Sequence, residues 1–283
     1  MRFLFLVVLA LLLSACGSRA QIRGIETATA GPETVPAADT ATLTATRTPT
    51  RTPRPTRTAT PTRTPTATPT GFYTQFRTVR GFTVKASSAV ATQALDEAAR
   101  VFRMLVSGNP QVVARLRSFR AEVAVIGRFE DMTDLPDYAF LRGREEPFEH
   151  WFDGAGARGM GGSLRVPVCS AGEENLLGLP GDVYAGQSIL IHRCAHSVYN
   201  LGLNPSQRAA WEATYRAAMA AGRWQDTYAA RNAYEFFAEL TQSYFGVNQS
   251  PQAGVHIEIN TAADLAEYEP DGHRFLIQVY RRP

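Results

Sequence analysis

Lysine is almost absent from this chain. Lys85 is the only one in 283 residues, and every other basic residue is arginine, which reads as genomic bias rather than function. Cysteine is scarce too. Three in a chain of this length cannot staple a scaffold, so the fold must rest on a buried core. No apolar run is long enough to cross a bilayer as a helix, since the stretch over residues 3–13 stops at Ser14. A basic cluster is missing from the folded part. Residues 1–70 hold eight of the 29 basic residues and three of the 26 acidic ones, so residues 71–283 stand near −2. A nucleic-acid partner is therefore not expected, because that footprint is a basic patch.

The chain does contain three unlike segments. Residues 1–16 carry Arg2, the apolar run and Ser14-Ala15-Cys16. A charged start, a short apolar stretch and a small-residue end describe an export signal. Leu13-Ser14-Ala15-Cys16 also resembles the bacterial lipobox, which implies lipidation of Cys16 and anchoring to the outside of the cell membrane. Residues 17–70 form a Thr/Pro/Arg tract. From Thr40 to Thr70 the even-numbered positions are threonine, Arg54 excepted. With no apolar period and many prolines, this tract is expected to be a disordered, extended tether. Residues 71–283 have the mixed composition of a globular domain.

Within that domain, 72–86 reads as extended and 92–106 as an amphipathic helix, followed by a short helix over 110–118. Residues 121–127 alternate and are β-branched, which predicts a central strand. Residues 128–186 are glycine-rich and aperiodic, and read as long loops with one or two short strands. Helices are expected over 187–203, from Asn204-Pro205 to about Gly222, and from Asn232 to about Phe245. Residues 273–281 read as a strand or a helix. Strands first and helices later predict an α+β domain.

The chemistry gathers on two of these helices. His192 and His196 are four apart, so both imidazoles leave one helix face and can hold one cation. Glu235 and Glu239 share a face of the later helix. Asn232 with Glu235 three residues on also fits a capping box, a purely local role for that glutamate. Two histidines on one helix with a glutamate on a later one resemble the gluzincin zinc metallopeptidases. The run from Tyr228 to Glu239 is similar to peptidase domains of the anthrax lethal factor type. Arg158–Gly162, Glu173–Leu177 and Pro180–Tyr184 look like segments of bacterial extracellular relatives. The resemblance implies a zincin-like fold, zinc on His192, His196 and Glu235, and Glu239 behind a ligand histidine. It also implies Tyr228 as oxyanion stabiliser.

One position departs from that pattern. The family places a glutamate after the first histidine as general base, and here the residue is Arg193. An arginine stays protonated and cannot take that role. At ~5 Å from a dication its charge is repelled by roughly 6–7 kcal/mol at an effective dielectric of ~20. Glu239, Glu173 or Glu174 are candidates to offset it. Three expectations follow: a zinc-binding protein with lost peptide hydrolysis, a metal-free peptide- or wall-binding module with Arg193 as a carboxylate clamp, or an active peptidase using Glu173 or Glu174. A monomer is expected in each. Cys169 and Cys194 remain, to be read as a disulfide or as two buried thiols.

Overall fold

The computed structural model describes residues 71–144, 157–248 and 257–281. The export signal, Cys16 and the tether lie outside the described residues. So do parts of the predicted loops.

The chain opens with a hairpin, β1 (Gln75–Val79) and β2 (Phe82–Ala86). Arg80 and Gly81 turn it, both with positive φ, as a tight hairpin requires. Two helices then cross over, α1 (Thr92–Leu105) and α2 (Pro110–Ser118). They lead to β3 (Glu122–Ile126), parallel to β2. β4 (Val168–Gly172) lies parallel to β3, giving the order β1-β2-β3-β4. Between β3 and β4 only two single-turn 3-10 segments are described.

Both faces of the sheet are covered, as near-continuous apolar strands demand. Val123 and Val125 of β3 join the larger core with α1 and the later helices. Ala124 and Ile126 point the other way, into a smaller core with Met132, Leu135, Tyr138 and Leu141. Lys85 sits at the edge of that second core, 3% exposed. Its ammonium pairs with Glu122 at 2.6 Å and Asp137 at 3.1 Å, and lies 4.6 Å from the centre of the Tyr73 ring. A buried lysine needs such partners to stay charged.

The second half is helical. α3 (Glu173–Leu177) follows β4 directly, then α4 (Ile189–Ser197), α5 (Pro205–Ala220), α6 (Ala233–Phe245), α7 (Ala262–Tyr268) and α8 (Pro270–Tyr280). The domain is thus α+β, and the tail expected as strand or helix is helix. Every residue of α4 is buried, and so is every residue of α6 from Tyr234 on. The two helices pack on each other in the middle of the larger core. Cys169 of β4 and Cys194 of α4 are joined as a disulfide, both sulfurs buried. A loop of that length contributes roughly 3–4 kcal/mol through the unfolded chain. The bond also fixes α4 against the sheet.

Candidate metal centre

α4 begins at Ser188, whose hydroxyl accepts from Ile191 N. Its apolar residues face the core, and the remaining face carries His192, Arg193 and His196, all buried. α6 begins at Asn232, whose side chain accepts from Tyr234 N and Glu235 N. Glu235 does not return that bond, so the capping-box role is not filled. Its carboxylate turns to the histidines instead. Glu235 Oε2 lies 3.1 Å from His192 Nε2 and 3.3 Å from His196 Nε2. The three residues each offer one ligand atom, all within 4.8 Å of one another.

The surroundings hold these rings in place. His196 stacks flat on Tyr234, ring centres 3.7 Å apart, and meets His192 edge-on at 4.7 Å. On the other side runs the extended segment 157–163. It pairs with the free edge of β4 through Gly172 N to Arg158 O and Ser170 N to Met160 O, each 2.8 Å. Gly162 N then bonds Ser197 Oγ at 3.0 Å on α4. The glycines make this approach possible. A Cβ on Gly161 would lie 2.5 Å from His196 Cβ, and one on Gly159 2.6 Å from Ser170 O. Tyr228 stands in a 3-10 turn before α6, its ring 6.1 Å from that of His192 and its face under Arg231.

The electrostatics divide the pair of histidines. Burial works against charge on His192, but hydrogen bonding to Glu235 and Glu239 outweighs it and raises the ring to about 9. Burial lowers His196 to about 4, with the charges of His192 and Arg193 adding to it, so this ring is neutral. Burial alone would raise the Glu235 carboxyl, yet the charged ring of His192, which hydrogen-bonds it, holds it well below the usual carboxylate range. Neither nitrogen of His196 makes a hydrogen bond among the described residues. A buried neutral imidazole without such a bond, facing a carboxylate and a second imidazole, is a donor set that fits zinc.

The two glutamates expected near Arg193 are elsewhere. Glu174 takes both Nε and Nη2 of Arg158, at 2.7 and 2.8 Å. Glu173 accepts from Ala91 N and Arg128 N. Both hold loops in place. Glu239 lies behind His192, its Oε1 3.2 Å from Nδ1 and its Oε2 bonded by Asn248 Nδ2. Arg193 itself is 5% exposed, next to His192 in the chain. Sequence reading singled out Arg158–Gly162 by resemblance alone and missed Tyr234 and Gln242, whose Oε1 is 2.8 Å from His192 Nδ1. Gln242 had a signal, since 235, 239 and 242 fall on one helix face. The stacking of Tyr234 had none.

A scan against protein families finds no match, and none is found among curated proteins. Among solved structures the chain is similar to the Pro-Pro endopeptidase PPEP-2 from Paenibacillus alvei. The likeness covers 69% of this chain and 96% of that one, at 16% identity and a TM-score of 0.46. So loose a likeness carries no weight beside the geometry of the site.

Proposed function

We propose that this chain is a lipid-anchored, extracytoplasmic protein of zincin-like fold that binds zinc through His192, His196 and Glu235 and does not hydrolyse peptides. The convergence of those three buried ligand atoms carries the first part. The second part rests on Arg193 in the base position, with Glu173 and Glu174 engaged elsewhere. Bound zinc would supply Lewis acidity and lower the pKa of a bound water. The residues here hold that position and exclude solvent from it. A permanently protonated guanidinium beside it cannot accept a proton. What remains is binding of a peptide or protein ligand. The likeness to the lethal factor type rests on the run from Tyr228 to Glu239.

One observation favours the metal-free alternative. Glu235 already lies within ion-pair distance of both histidines, and a protonated His192 satisfies its charge. Metal analysis separates the two. Purified protein is expected to hold one zinc per chain and to leave a broad peptide library uncut, while Arg193→Glu gains chelator-sensitive cleavage. Protein purified without zinc, or wild type whose cleavage is lost in Glu235→Ala, would overturn the proposal.

A further inference from the structure

His192 has a second ring nitrogen, and its nearest partner is on α6. We infer that Gln242 is the positioning residue that makes His192 a metal ligand, by fixing which ring nitrogen carries the proton. This rests on the zinc-binding reading above.

Gln242 is fully buried on the face of α6 that carries Glu235 and Glu239. An amide has one donor end and one accepting end, and its surroundings leave one orientation here. Ser188 O is a backbone carbonyl and can only accept. Gln242 Nε2 donates to it at 3.2 Å. That turns Oε1 to His192 Nδ1, at 2.8 Å. An amide oxygen cannot donate, so Nδ1 must carry the hydrogen. The lone pair of the neutral ring is then on Nε2, the atom that faces Glu235.

Glu239 is the competing acceptor, but its oxygen is farther from Nδ1, at 3.2 Å, and the carboxylate is also bonded by Asn248. The amide adds no charge to the site. It also ties the ring to its own helix. Ser188 O accepts from His192 N at 3.2 Å, and Ser188 caps α4. One glutamine thus sets the ring's proton, the ring's orientation and the register of α4 against α6.

The test uses the whole chain with zinc as the probe. Gln242→Met keeps the side-chain length and removes both polar ends. Competition against a chelator should show its zinc Kd raised about 10- to 100-fold, the range of lost outer-sphere bonds. Glu239→Gln should cost less. Nitrogen-15 spectra of zinc-loaded wild type should show His192 bound through Nε2 with Nδ1 protonated. An unchanged Kd in Gln242→Met, a larger loss in Glu239→Gln, or Nδ1 on the metal would each overturn the inference. If Gln242→Met does not fold, Gln242→Leu is measured in its place and read in the same way. Wild type that binds no zinc removes the metal reading and this inference with it. Wild type that binds zinc while Gln242→Met binds equally well removes the inference only.

Discussion

At the scale of single residues, the site is a proton balance as much as a ligand set. His192 is held charged in the metal-free protein, with its pKa raised to about 9, while His196 is neutral down to about 4. Zinc needs both rings neutral at the binding nitrogen. Binding at pH 7 should therefore release close to one proton, and that proton comes from His192. Calorimetry in two buffers of different ionisation heat measures the number. Apparent affinity should fall about tenfold per pH unit below pH 9, and flatten above it. The same shift has a stability consequence of fixed sign. A histidine raised above its ordinary value stabilises the metal-free fold fully below pH 6.5, and that contribution is lost as pH rises through about 9. Much of this site was legible in sequence, because ligand spacing on a helix is a geometric statement. His192, His196 and Glu235 could be named from spacing and resemblance. Which carboxylates stand near Arg193 could not, because Glu173 is turned by backbone amides of distant segments and Glu174 by the Arg158 guanidinium.

At the scale of elements, periodicity predicted what it can see. The helix expected over 187–203 is α4, but it ends at Ser197 and widens into a π turn over Val198–Gly202, closed by Leu203 N on Val198 O. Short elements escaped. α3 has five residues and α7 seven, too few to show a period. The segment 157–163 stood out only by resemblance, over Arg158–Gly162, since glycines carry no periodic pattern. Its place is dictated by β4 and α4. Gly161→Ala tests that dependence. The added methyl meets His196 Cβ at 2.5 Å and Tyr234 Oη at 3.0 Å, and neither can withdraw easily. We expect a loss of about 1–3 kcal/mol in chemical denaturation. Zinc binding should weaken as well, because the strain falls on a proposed ligand. The same substitution at Gly143, where nothing lies near a new Cβ, should leave the metal untouched, although its positive φ costs some stability.

At the scale of the whole molecule, the folded domain is proposed to hang from a lipid. Among the described residues no helix is long and apolar enough to cross a membrane. The proposed attachment therefore rests on Cys16 and the run before it. Cys16→Ser in the producing cell should move the protein out of the membrane fraction, as fractionation and blotting will show. A protein that stays with the membrane as before would exclude the lipid anchor. The buried disulfide fits the same compartment, since such bonds persist outside the reducing cytosol.

The lone lysine has a practical corollary for anyone handling the molecule. The residue is 3% exposed and its amine is locked between two carboxylates. Acylating dyes, aldehyde fixatives and amine-coupled sensor chips all need an open primary amine. If the N-terminus is acylated as well, they find nothing to react with on the native chain, and attachment must go through engineered thiols or the carboxylates.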